Sequence, residues 1–260
     1  MRYHRAPMPI DRDQLVSHLD EYLAASEDED YGPNGLQVEG TSTIEKILLG
    51  VSSCQELHDR AAEIGADAVM VHHGMFWNYM DRRVTGMTHR RLKPLMDHDI
   101  NLLAYHLPLD RLAEVGTNSV AARALGLVDL ESFARYEGKD IGFCGRFPEP
   151  PTLEELTAKL TAFYGREPTV QGDGPEPIET LGIISGGAQK ELYKAIDRGL
   201  DAYVTGEISE WVMNVSREQG IHFFACGHYA TEVCGIQALG RYVAERFDVE
   251  VEFYDVPNPV

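Results

Sequence analysis

The chain has 260 residues, 43% of them hydrophobic, with 23 Lys and Arg against 42 Asp and Glu and a formal net charge of -19. That length suits one large domain or two ordinary ones. No apolar run reaches the ~18 residues of a membrane span, and the charge repels nucleic acid at moderate salt. Only six of the basic residues are lysine, and the acids are dispersed, with Glu27-Asp28-Glu29-Asp30 the densest run. This pattern predicts a halophilic protein in a salt-rich cytosol, where a short Debye length hides self-repulsion. An ordinary acidic enzyme is the plainer alternative.

The start, Met1-Arg2-Tyr3-His4-Arg5, lacks the following apolar stretch of a signal peptide. Cys54, Cys144, Cys226 and Cys234 form no Cys-x-x-Cys spacing. Together these predict reduced thiols in a cytoplasmic protein. Asp13 to Leu23 predicts a helix, and Gly32-Pro33 before Asn34-Gly35-Leu36-Gln37-Val38 predicts a turn and then a strand.

Glu45 to Val51 predicts a strand. Gln55 to Ile64 predicts a helix capped by Gly65, with Leu57, Ala61 and Ile64 on one side. Ala68 to Val71 predicts a second strand running into His72-His73-Gly74. The same order returns: Leu181 to Ile184 as strand, Gln189 to Arg198 as helix, Gly199 as cap, and Ala202 to Thr205 as strand. The letters also match. Ile44-Glu45 answers Ile178-Glu179, and Gly65-Ala66-Asp67-Ala68 answers Gly199-Leu200-Asp201-Ala202, an offset of 134 residues (44 to 178, 65 to 199). Ile100 to Ala104 resembles Ile221 to Ala225, which brings His106 within a residue of His228. The helix at 13–23 has a counterpart at Leu153 to Phe163.

An ancient duplication follows as the expectation. Its two similar α/β halves are residues 1–128 and 129–260, meeting near 126–140, with the C-terminal helix and strand packing back on the first half. Alternating strands and helices predict largely parallel sheets flanked by helices. Ligands bind outside the carboxyl ends of such strands. His72, His106, Glu207 and His228 all fall at such ends, so a metal site between the halves is expected.

His72 and His73 adjoin at a strand end, where the backbone can turn and let the pair address two metals, or one metal and a partner. An isolated His-His pair would more often be packed and hydrogen-bonded. His228 and Glu232 stand four apart at the start of a helix, on one face. Alone, Glu232 would be only a favourable first-turn carboxylate. His106 and Asp110 are also four apart, but Pro108 between them favours an extended or turning segment over a helix. Asp110 has two oxygens to bridge two metals, and His106 is a ligand or a donor to one. Glu207 is a ligand, a general base, an orienter of a histidine, or a solvated loop acid. His4, His18, His58, His89 and His98 read as structural or exposed. No phosphate loop or nucleophile elbow occurs, and Gly182-Ile183-Ile184-Ser185-Gly186-Gly187 is too loose for a dinucleotide fingerprint.

These segments resemble the Nif-three-like (YbgI-type) dinuclear metal-centre family, whose members carry the label GTP cyclohydrolase 1 type 2 homolog. The matching stretches are Asn34 to Gly40, His72 to Trp77, His106 to Asp110, Asp201 to Glu207 and Gly227 to Glu232. The resemblance implies two divalent metal ions per chain, held by His72, His73, Asp110, His228 and Glu232, with Asp110 and Glu232 as bridging carboxylates. Zinc, iron, manganese and nickel all suit such mixed ligands. It also implies a homohexameric ring. The expected function is metal-dependent hydrolysis of a small molecule such as a nucleotide, cyclic amide or phosphoester, with Glu207 or His106 moving protons. The rival is a non-catalytic metal-holding scaffold or regulatory ring. Direct nucleic-acid binding would need a basic patch, for which Arg82-Arg83 with Arg90-Arg91-Lys93 is the candidate.

Overall fold

The computed structural model describes residues 9–27 and 29–260, so His4 and Asp28 lie outside the described residues. Two compact units divide the chain. The first runs to Leu109 and takes in Ile236–Pro257; the second is Asp110–Gly235 with Asn258–Val260. The sequence places its division between residues 128 and 129, whereas the compact units meet in the chain at Leu109 and Asp110.

In chain order the first unit holds β1 (Ile10–Asp11), α1 (Arg12–Tyr22), β2 (Gly35–Val38), β3 (Thr43–Ile44), β4 (Lys46–Ser52), α2 (Gln55–Glu63), β5 (Ala68–His73), α3 (Gly86–Asp97) and β6 (Asn101–Ala104). The short helix α4 (Leu107–Arg111) follows, and the second unit begins within it. The second unit holds α5 (Thr117–Ala124), β7 (Val128–Tyr136), β8 (Lys139–Arg146), α6 (Leu153–Tyr164), β9 (Thr169–Gln171), β10 (Thr180–Ile183), α7 (Leu192–Arg198), β11 (Ala202–Thr205), α8 (Val212–Gln219) and β12 (His222–Ala225). Helix α9 (His228–Phe247) starts in the second unit and ends in the first, and β13 (Glu250–Phe253) closes the series.

The first unit's main sheet has the order β13-β4-β5-β6-β2. β13, β4, β5 and β6 run parallel, with β2 antiparallel at one edge. β4 and β5 read as near-continuous apolar runs because a parallel strand covered on both faces has no solvent side. Their Leu48, Val69 and Val71 pack with Leu57 and Ala61 of α2 and Leu95 of α3. The last strand joins this sheet through the Val251–Ile47 and Phe253–Leu49 pairs.

The second unit's sheet has the order β7-β8-β10-β11-β12-β9. Only β10-β11 and β11-β12 are parallel. The β7–β8, β8–β10 and β12–β9 pairs are antiparallel, so this sheet is mixed rather than largely parallel. The reason is local. Glu137 and Gly138, both at positive φ, join β7 to β8 in two residues, and so short a link permits only an antiparallel partner. Leu156 and Leu160 of α6 pack with Leu181, Val204 and Phe224 of the strands. Helix α6 starts with a capping box of Thr152 and Glu155 and ends at Gly165 in the left-handed region.

One construction recurs in both units. Asp67 Oδ2 accepts hydrogen bonds from the backbone N–H of Glu45 (2.8 Å) and Lys46 (2.9 Å). Asp201 Oδ2 accepts from Glu179 and Thr180, both at 2.9 Å. These are the residues aligned by the 134-residue offset. Each carboxylate ties the turn before one strand to the start of its neighbour, as charge-assisted bonds do well.

The segment at Pro108 departs from expectation. It is helical from Leu107 to Arg111. Pro108 stands in the first turn, where its missing N–H has no intrahelical partner to lose.

Candidate metal centre

In the first unit, β5 ends at His73 and β6 ends just before Tyr105 and His106, so adjacent parallel strands deliver three imidazoles to the carboxyl end of the sheet. One nitrogen from each of His72, His73 and His106 lies within 4.8 Å of the others. The ring centroids are 4.7 Å apart for His72–His73, 5.0 Å for His72–His106 and 5.4 Å for His73–His106.

Each ring is held from behind by its Nδ1. His72 Nδ1 donates to the Tyr105 carbonyl at 3.1 Å, which sets the tautomer and leaves the lone pair on Nε2. His73 Nδ1 is 2.9 Å from the Ser52 hydroxyl. His106 Nδ1 is 2.7 Å from Asp30 Oδ1. Met75 N–H donates to Gln37 Oε1 at 2.8 Å, and Gln37 Nε2 donates to the Pro33 carbonyl at 2.7 Å, so Gln37 ties β2 to the turn after His73. Trp77 stands edge-on to His106 at 5.2 Å.

In the second unit, His228 and Glu232 share a face of the first turns of α9, with Nε2 to Oε1 at 3.1 Å. His228 Nδ1 donates to Glu207 Oε1 at 2.7 Å, so Glu207 orients that imidazole from the end of β11. Glu232 is 3% exposed and Asp110 6%. Burial alone would push the His228 imidazole down, but Glu232 and then Glu207 outweigh it and hold the pKa at about 9. Ser185 Oγ donates to Asp110 Oδ1 at 3.3 Å. Asn118 accepts from Ser185 N–H at 2.8 Å and donates to the Ile141 carbonyl at 2.9 Å.

Gly186 makes room for the His228–Glu232 pair. At φ +67°, its Cβ would fall 2.6 Å from Glu232 Oε1 and 3.2 Å from His228 Nε2. The Ser185-Gly186-Gly187 turn therefore works as packing around this pair rather than as a dinucleotide fingerprint.

The donor chemistry fits divalent transition metal ions. Imidazoles fixed by outer hydrogen bonds beside buried carboxylates are the usual ligand environment for zinc, iron or manganese. None of the four cysteines stands in either group; burial holds the Cys226 thiol at about 12, which disfavours the thiolate a metal requires.

The sequence missed Asp30, Asn34, Ser52 and Asn118, which touch candidate ligands or their neighbours. In the sequence Asp30 is the last acid of the Glu27-Asp28-Glu29-Asp30 run. Its side chain is 2% exposed. His58 is buried between Ser53 and the Arg91 carbonyl, and His89 and His98 are exposed, in keeping with structural or surface roles.

Residues 10–259 match the family model described as Duf34/NIF3 (NGG1p interacting factor 3). The chain belongs to the DUF34/NIF3 family. Its relatives in that family include the GTP cyclohydrolase 1 type 2 homolog of Pseudomonas aeruginosa PAO1, 45% identical over 252 residues, covering 97% of this chain and all of that protein. The homolog of Escherichia coli K12 is 42% identical over 250 residues, covering 95% of this chain and 98% of that one. Among solved structures, protein ybgI superposes with TM-score 0.91 at 41% identity, over 96% of this chain and all of that one. TTHA1606 from Thermus thermophilus superposes with TM-score 0.88 at 38% identity, also over 96% of this chain and all of that one. No helix among the described residues is long and apolar enough to cross a membrane.

Proposed function

We propose that this DUF34/NIF3 member is a dinuclear metal-dependent hydrolase of small molecules. Its two divalent ions would be held by His72, His73, Asp110, His228 and Glu232, with Asp110 and Glu232 bridging. The observation that carries the reading is the His228–Glu232 pair, braced by Glu207 and accommodated by Gly186. A histidine whose second nitrogen is tied to a carboxylate is the usual form of a metal-ligating imidazole.

Bound metals would supply Lewis acidity to polarise a carbonyl, ring carbon or phosphoryl group and to acidify water. The chain's own residues do the rest. Glu207 keeps His228 in one tautomer. Glu207 and His106 carry protons at the reacting group. Trp77 stands edge-on to His106 and also lines a neighbouring cavity of about 150 Å³ with Pro33, Met75, Phe76 and Met80, which the proposed ligands themselves do not line.

The substrate class is a nucleotide or a related cyclic amide or phosphoester. The relatives' name, GTP cyclohydrolase 1 type 2 homolog, supports GTP as the first compound to try. The proposal includes the two-half duplication, the joining of both halves' ligands in one centre, a cytoplasmic homohexameric ring and adaptation to high salt. Hydrolysis of GTP and of p-nitrophenyl phosphoesters should vanish on chelation and return with a divalent ion. Undiminished turnover by a metal-free His72→Ala, His228→Ala variant would refute it.

The second reading is a metal-holding scaffold or regulatory ring without catalysis. Metal uptake with no turnover in a broad screen would favour it.

A further inference from the structure

Asp30 is a buried carboxylate with four donors. It accepts from Tyr31 N–H at 2.6 Å, Asn34 Nδ2 at 3.0 Å, Leu107 N–H at 3.1 Å and His106 Nδ1 at 2.7 Å. Burial pushes this carboxyl up, but the bonds from His106, Asn34 and Tyr31 outweigh it and hold it below the usual range. It is therefore ionised, and an ionised carboxylate only accepts. Nδ1 of His106 must carry a proton, so the neutral ring has its lone pair on Nε2.

The loop that carries Asp30 is pinned over the strand ends. Asn34 Oδ1 accepts from His106 N–H at 2.8 Å, so one short segment grips both the backbone and the ring of His106. Asn78 Nδ2 donates to the Asp30 carbonyl at 3.0 Å, and Asn78 N–H donates to the Tyr31 carbonyl at 2.7 Å. Gly32 allows the approach: a Cβ there would lie 2.2 Å from the Phe76 carbonyl oxygen. The second unit uses the same device, a carboxylate on the Nδ1 of a strand-end histidine, in Glu207 and His228.

We propose that Asp30 is a positioning residue of the candidate centre. It locks His106 as the Nδ1–H tautomer and makes Nε2 the nitrogen that meets the substrate. The inference rests on the reading of His106 as a proton carrier of that site. Tyr31 N–H and His106 Nδ1 meet Oδ1, while Asn34 Nδ2 and Leu107 N–H meet Oδ2, so Asp30→Asn would leave one of these donor pairs facing an amide –NH₂ whichever way the amide turns. Asp30→Ala instead removes the acceptor on Nδ1 and with it the bias toward the Nδ1–H tautomer, whereas a purely structural role would lower stability without moving the tautomer.

The test is solid-state ¹⁵N NMR of full-length, histidine-labelled, metal-free protein at alkaline pH, with His106 assigned by its loss in His106→Gln. Wild type should show a protonated Nδ1 and an unprotonated Nε2, and Asp30→Ala should lose that preference. A wild-type His106 protonated at Nε2 would overturn the proposal, and that measurement needs no variant to fold. So would an Asp30→Ala protein that melts lower yet keeps the wild-type tautomer. Metal uptake measured on the same wild-type preparation reads the hydrolase proposal separately: a chain that takes up no metal removes that reading, and the tautomer still decides Asp30.

Discussion

Nδ1 of His228 donates to Glu207 at 2.7 Å while Nε2 of the same ring faces Glu232 at 3.1 Å. One imidazole is thus gripped by two carboxylates, Glu207 on Nδ1 and Glu232 on Nε2. Replacing Glu207 by Gln keeps the shape and removes the charge. The expected result is a loss of about 10- to 100-fold in zinc affinity, the range for removing an outer partner of a metal-ligating histidine. Competition titration with a chromogenic chelator measures it; unchanged affinity would mean that Glu207 is only a loop acid.

The same pair sets a pH dependence. In the metal-free protein His228 titrates at about 9, above the ordinary histidine value of 6.5. A raised folded-state value means that the imidazolium stabilises the fold fully below about 6.5 and that this contribution is lost as pH rises through about 9. The melting-temperature gap between wild type and His228→Gln should therefore narrow across that window. Zinc must displace the same proton, so zinc affinity should rise with pH over the same range. A gap that widens with pH would contradict the assignment.

Gly186→Ala should injure both stability and metal uptake. A side chain in the left-handed region costs about 1–2 kcal/mol. The added methyl also meets Glu232 Oε1 at 2.6 Å and His228 Nε2 at 3.2 Å, forcing the pair to shift. Calorimetry and metal titration together check it. A variant with wild-type zinc affinity would show that the turn does not shape the site.

The charge of -19 makes its own prediction. Self-repulsion among 42 acids is screened by salt, so the melting temperature should climb from dilute to molar sodium chloride. A flat or falling curve would remove the halophilic reading.

Much of the first unit's sheet was legible because buried parallel strands write themselves as apolar runs, as at Ile47 to Val51 and Val69 to Val71. The ligand candidates were legible because strand ends put His72, His73 and His106 beside polar, turn-forming residues. Asp30 was not: its partner His106 is 76 residues away, and no local pattern distinguishes a carboxylate drawn inward by a distant histidine from its solvated neighbours. The β7–β8 hairpin was hidden because its turn is Glu137-Gly138, and glutamate at positive φ is not a residue from which a two-residue turn is read. Helix α4 was hidden by Pro108, whose effect depends on whether it falls in a first turn or an interior one.

The central claim is tested most directly by elemental mass spectrometry of metal per chain, on protein purified in high salt without a histidine tag. Wild type is compared with Asp110→Ala. The account predicts about two transition-metal ions per chain in wild type and their loss in the variant. No metal after reconstitution with zinc, iron and manganese, or an Asp110→Ala chain that keeps both ions, would contradict it.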